Sequence, residues 1–289
     1  MYNKCLEYLL DYDATKAISK SGAAIRKIIS PFLRLAIPLT IKTKLRTLRK
    51  GTMPDSPVIF ASTHAFKEDI EDAVVLADRQ AYILIGSLSQ VFRSLDGFTA
   101  WLAGMILVNR SDKKSRIASK EKMKLALQYG SSVIVFPEGT WNKSPNLMMN
   151  GLFSGVYDVA KDTGSMVVPI ATIRDGKYVY GIREDAFDIT QFGRADGVAI
   201  LRDKMATMRW ELMESIPRAK RSDFPYGSAA DAYWTEYIDG LMSEVKYYDY
   251  EEELHTKFVD KSVSSPEEAF AHLNRLIPCK ENAFLFRKR

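Results

Sequence analysis

The chain has 289 residues, 46% hydrophobic and 27% charged, an ordinary globular composition that excludes a disordered or fibrous polypeptide. That length suffices for one large α/β domain plus an appendage. Cys5 and Cys279 lie near opposite ends without metal-ligand spacing, so neither a zinc site nor a disulfide framework is expected.

The net charge of +5 is unevenly placed: residues 1–60 hold eleven Lys or Arg against four Asp or Glu. Within residues 1–54, Ile25, Ile28, Ile29, Phe32, Leu35, Ala36 and Leu39 recur at helical spacing. Arg26, Lys27 and Arg34 fall between them, and Lys42, Lys44, Arg46, Arg49 and Lys50 follow. The pattern predicts one or two short amphipathic helices, broken at Pro31 and Pro38. Such a segment fits an anionic bilayer surface, where each nearby basic charge contributes about 1 kcal/mol, or an ordinary packed helix with a solvated basic face. Uncharged runs such as Leu35–Ile41 fall far short of the ~20 residues that span a bilayer. Glu7, Asp11 and Asp13 stand where a signal peptide would have its basic start and apolar centre. The expectation is a cytoplasmic protein, peripherally associated with the inner face of a membrane.

From Pro57 onward, strand-like runs alternate with helix-like ones. Val58–Ala61, Tyr82–Ile85, Met105–Val108, Val133–Phe136, Met166–Ile170 and Tyr178–Gly181 are short, apolar and rich in β-branched or aromatic residues. This predicts an α/β domain over residues 55–190, with a mostly parallel central sheet flanked by helices. Residues 191–289 read as a mainly helical C-terminal extension packed on the same domain, with helices over Val198–Met213, Ala229–Val245 and after Ser265. Sites in such domains gather beyond the carboxyl ends of the strands.

Three strand ends carry distinctive chemistry. His64 follows the first strand, ahead of the carboxylates Glu68 and Asp69; a neutral imidazole beside an anion can act as a base near neutral pH. Arg110 leaves the strand Gly104–Val108 with a fork of donors suited to phosphate or carboxylate, or to a surface salt bridge. In Phe136-Pro137-Glu138-Gly139-Thr140, Pro137 stiffens a strand exit, Gly139 permits a tight turn, and Glu138 and Thr140 present polar groups.

In this order, His64 with Asp69, Gly104 to Arg110, Phe136 to Thr140 and Val168-Pro169-Ile170 resemble the four sequence blocks of the glycerolipid acyltransferase family, typified by the 1-acylglycerol-3-phosphate acyltransferases. The likeness covers residues 55–185 or so. It implies that His64 is a general base deprotonating a glycerol hydroxyl, oriented by Asp69, for attack on a fatty acyl thioester. It also implies that Arg110 binds the acceptor's phosphate, that Glu138, Gly139 and Thr140 form an acceptor-binding turn, and that Pro169 shapes an apolar wall. The implied co-substrates are acyl-CoA or acyl-ACP and a lysophospholipid, with no bound cofactor, no metal and no nucleic acid.

On a regular helix, position i+4 lies about 40° from His64 and i+5 about 140° away, so Glu68 would be the better partner. The family pattern chooses Asp69, which requires His64 to precede the helix. The chain departs from that pattern at Ala65-Phe66, at Trp141-Asn142, and at Phe153-Ser154-Gly155, where a lysine is absent. These changes leave open another lysolipid or a glycolipid as acceptor. Rival readings are a catalytically silent lipid-binding module and a basic nucleic-acid-binding protein.

Overall fold

The computed structural model describes residues 2–86, 95–142 and 148–216, with isolated helical positions at 232, 236, 239, 240 and 243. The remaining positions of the predicted helix over 229–245, and the helix predicted after Ser265, lie outside the described residues. In chain order the elements are α1 (Tyr2–Leu10), α2 (Ala14–Ala17), α3 (Lys20–Thr40), β1 (Lys44–Lys50), β2 (Ile59–Ser62), α4 (Asp69–Ala77), β3 (Ala81–Ile85) and α5 (Leu95–Gly104). There follow β4 (Met105–Leu107), α6 (Lys113–Gln128), β5 (Ser132–Val135), α7 (Gly155–Thr163), β6 (Val167–Asp175), β7 (Tyr178–Arg183) and α8 (Arg194–Ser215).

The seven strands form one sheet in the order β1-β7-β6-β2-β5-β3-β4. Neighbours from β6 to β4 run parallel; β7 is antiparallel to β6, and β1 is parallel to β7. β2 to β6 therefore discharge their carboxyl ends at one edge. Strand residues alternate between two apolar layers. Ile59, Ala61, Val133, Val135 and Val167 pack with α6, α7 and α8 through Met123, Ala126, Val156, Ala160, Leu201 and Met205. Val58, Phe60, Ile134, Val168 and Ile170 pack with α4 through Ala73, Val74, Leu76 and Ala77. A sheet buried on both faces needs continuous apolar strands, which these short runs supply.

All six predicted strands are present, but Lys44–Lys50, read as part of a helical segment 1–54, is instead the edge strand β1. Only Leu45 points well inward, and a register shift between Thr47 and Arg49 breaks the two-residue period that would have marked a strand. Charged side chains suit an edge strand because they discourage further pairing.

The predicted breaks at Pro31 and Pro38 do not occur either; α3 is one 21-residue helix containing both prolines, started by the Ser19 hydroxyl accepting the Gly22 N–H. Each proline removes a hydrogen bond to the carbonyl four residues back. Both prolines face solvent, where water can take that place. The helix turns Ala23 and Ser30 inward and leaves Ile25, Ile28, Phe32, Leu35 and Leu39 56–86% exposed in a single stripe.

Candidate active site

β2 is fully buried, and its course is held past its last residue by the Thr63 N–H, which donates to the Ile170 carbonyl of β6. His64 follows on a non-helical turn, and α4 does not begin until Asp69. That turn brings the i+5 residue to the imidazole: His64 Nδ1 lies 3.0 Å from both Asp69 carboxylate oxygens. Asp69 Oδ2 also accepts the backbone N–H groups of Ala65 at 2.6 Å and Phe66 at 3.1 Å. Asp69 is fully buried at the first residue of α4, and these backbone donors face its carboxyl group. Glu68 turns away, its Oε2 lying 3.4 Å from Arg174 Nη1. With Nδ1 committed to Asp69, Nε2 is the nitrogen left for proton transfer. Phe136 and Trp141 flank the imidazole at ring distances of 4.5 and 5.7 Å, leaving it 16% exposed.

The turn after β5 grips the same residue through the backbone. The His64 N–H donates to Glu138 Oε1 at 3.3 Å, and the His64 carbonyl accepts the Asn142 N–H at 2.9 Å. Glu138 Oε2 accepts the Asn150 N–H at 2.9 Å. Both oxygens of Glu138 are therefore engaged with backbone, and its contact is with His64 rather than outward. Burial pushes its carboxyl above the usual range, while the Arg209 guanidinium, these two N–H groups and His64 oppose that shift. Gly139 makes the turn possible at φ +72°, and a Cβ there would meet the Phe153 ring at 2.4 Å.

Arg110 shares the sheet edge with His64 but not its immediate surroundings. It leaves β4, three strands from β2 and so roughly 14 Å away at the usual strand spacing. It leans inward over the end of β3, where a Cβ on Gly86 would come 2.1 Å from Arg110 Nε. Thr140 is nearly buried, and its hydroxyl has no hydrogen-bond partner among the described residues. Pro169 sits within the sheet opposite Ala61, buried beside the strand that delivers His64. It falls between the isolated Val167–Phe187 bridge and the regular β6–β7 ladder that begins at Ile170, an interruption where a strand can lack a donor.

Sequence reasoning missed Asn150, Asp72 and Arg209. Asn150 and Arg209 lie in no recognisable motif, and Arg209 is over seventy residues beyond Glu138 in the chain. Asp72 is one turn beyond Asp69, fully buried, and neither of its oxygens has a hydrogen-bond partner among the described residues. Burial, then the charges of Asp69, Glu71 and Glu68, push its carboxyl up to about 8. Among the described residues no three His, Cys, Asp or Glu side chains are grouped as a metal site needs.

Residues 39–173 match a family model described as acyltransferase. A 1-acyl-sn-glycerol-3-phosphate acyltransferase of Chlamydomonas reinhardtii is 30% identical over 123 residues, which cover 43% of this chain and 36% of that protein. The chloroplastic 1-acyl-sn-glycerol-3-phosphate acyltransferase BAT2 of Brassica napus is 29% identical over 137 residues, covering 47% and 38%. The chain thus spans little more than a third of the length of these curated relatives. The crystal structure of the 1-acyl-sn-glycerophosphate acyltransferase PlsC from Thermotoga maritima aligns with a TM-score of 0.51 over 73% of this chain and 92% of that one. At 15% identity, that likeness is one of fold.

Proposed function

We propose, from the match of residues 39–173 to the acyltransferase model, that the chain is an acyltransferase of that family and transfers a fatty acyl group from an acyl thioester to the free hydroxyl of a lysophospholipid. The favoured acceptor is 1-acylglycerol 3-phosphate, giving phosphatidic acid, and the donor is acyl-CoA or acyl-ACP. The observation that carries this reading is His64 Nδ1 held 3.0 Å from both oxygens of the buried Asp69 at a sheet edge. In the reaction Nε2 takes the proton of the acceptor hydroxyl as its oxygen bonds to the thioester carbonyl carbon. The C–S bond then breaks, and the leaving thiolate recovers the proton from the imidazolium. Asp69 fixes the tautomer and stabilises that imidazolium, as the carboxylate does in a serine-protease triad.

Arg110 takes the acceptor's phosphate in this reading. Its lean over Gly86 leaves roughly two strand spacings, about 10 Å, to the exit of β2. A glycerol phosphate with a hydrogen bond at each end crosses such a gap. Gly139 and Thr140 border the acceptor, and Pro169 backs the apolar wall. The outward stripe of α3, with Lys42 and Lys44 after it, rests on an anionic membrane from which the acceptor is drawn; no described helix is long and apolar enough to cross one. Trp141 and Asn142, which flank His64, favour testing other lysolipids in parallel. The experiment is acyl transfer by the purified protein to 1-acylglycerol 3-phosphate, run beside His64→Ala.

A further inference from the structure

We propose that Arg209, on α8 and outside the matched acyltransferase region, is a positioning residue for the base, holding Glu138 and the 148–150 loop in the place from which they grip His64. The inference rests on Glu138 belonging to the site of the proposed reaction.

α8 packs across β6 and β7 through Met208 and Leu212, and on the layer it shares with α6 and α7 through Leu201 and Met205. Arg202 and Arg209 are seven residues apart and share a helix face. Arg209 Nη1 donates to the Met148 carbonyl at 2.7 Å, and Arg202 Nη2 to the Met149 carbonyl at 3.1 Å. The next residue, Asn150, donates its N–H to Glu138 Oε2, and Glu138 Oε1 accepts the His64 N–H. One connected path therefore runs from α8 through the loop and the carboxylate to the backbone of the base. Arg209 is itself buried, where an arginine needs partners, and here the Met148 carbonyl accepts its Nη1 while the charge of Glu138 lies within its electrostatic reach. The titratable or charged side chains that bear on Glu138 are Arg209 from α8 and His64 from the turn after β2. Without the guanidinium, the fully buried carboxylate loses the strongest of the influences that keep it ionised. A protonated Glu138 accepts the His64 N–H less strongly, so the base loosens.

The test compares Arg209→Met, Arg209→Lys and Arg209→Gln with the wild type in two readouts. In acyl transfer, Arg209→Met lowers kcat roughly tenfold with little change in KM, and moves the acid limb of the kcat profile up by about one pH unit. Arg209→Lys, which keeps the charge, returns that limb toward its wild-type position. In thermal unfolding, Arg209→Met lowers Tm more at pH 8, where Glu138 must ionise without its counter-ion, than at pH 5. In a Glu138→Gln background the same substitution lowers Tm equally at both pH values. Should Arg209→Met not fold, Arg209→Gln carries the same comparison. An unshifted pH profile with a pH-independent Tm loss, equal in both backgrounds, overturns the proposal and makes Arg209 a packing group. If no variant transfers acyl groups, the reaction reading fails while the unfolding cycle still decides the link between Arg209 and Glu138.

Discussion

At His64 two adjacent carboxylates compete for one imidazole, and backbone conformation decides between them. A helix starting at His64 would favour Glu68; the turn through Ala65 and Phe66 postpones the helix to Asp69, whose carboxylate folds back over the N–H groups of that turn. Asp69 is thus both the terminus of a local hydrogen-bonded loop and the partner of the His64 imidazole. Asp69→Asn keeps the size but removes the charge, and a loss in kcat of roughly a thousandfold is expected. Glu68→Gln, which alters the Arg174 contact and not the one between His64 and Asp69, is expected to stay within about threefold of wild type. The reverse ranking contradicts the assignment. The sequence made both acids candidates because spacing assumes a helix that had not yet begun. Glu138 was visible as a strand-exit acid, but not that both its oxygens face backbone, since its donors come from His64 and Asn150, 74 and 12 residues away.

Among the elements, α4 carries the clearest polarity. Its first turn holds Asp69, Glu71 and Asp72, where the helix dipole favours negative charge. Its last carbonyls, Leu76 and Ala77, accept hydrogen bonds from the buried Arg183 of β7. Asp72 exceeds what the dipole supports: it is buried without a hydrogen-bond partner among the described residues and is held up to about 8. An unfolded aspartate titrates near ~4. From there to about pH 8 the folded state keeps a proton that the unfolded state has lost, so this group's contribution to stability is full below pH ~4 and declines as pH rises to about 8. Asp72→Asn removes that decline: its Tm relative to wild type should be unchanged at pH 4 and higher by a few degrees at pH 8. A Tm difference independent of pH, measured by calorimetry, contradicts an ionisable Asp72. Elements were legible where burial was symmetrical, as in β2, β3 and β5. They were illegible where it was not: β1 has one inward residue and a register shift, and α3 keeps its prolines by facing them to water.

At the scale of the molecule, five strand exits at one edge bring together residues scattered over the chain, while the opposite end of the sheet is closed by the basic edge strand β1. The mostly parallel order followed from alternating strand and helix runs; the reversal of β7 did not, because the two-residue turn Gly176-Lys177 was not read as a hairpin, and β1 was not read as a strand. α3 packs on this layered core through Ala23 and Ile37 and turns its large apolar side chains away from it. Ile28, Phe32 and Leu35 replaced together by Ser should leave Tm close to wild type, since all three are exposed, and reduce sedimentation with phosphatidylglycerol vesicles by roughly tenfold. Undiminished binding contradicts a membrane role for the stripe. Acyl transfer by a base held between Asp69 and Glu138 is tested most directly by the rate at which purified protein converts acyl-CoA and 1-acylglycerol 3-phosphate to phosphatidic acid, alongside His64→Ala with an unchanged Tm. Turnover in the wild type and a loss of roughly a thousandfold or more in the variant are expected; equal rates in the two proteins contradict the role of His64.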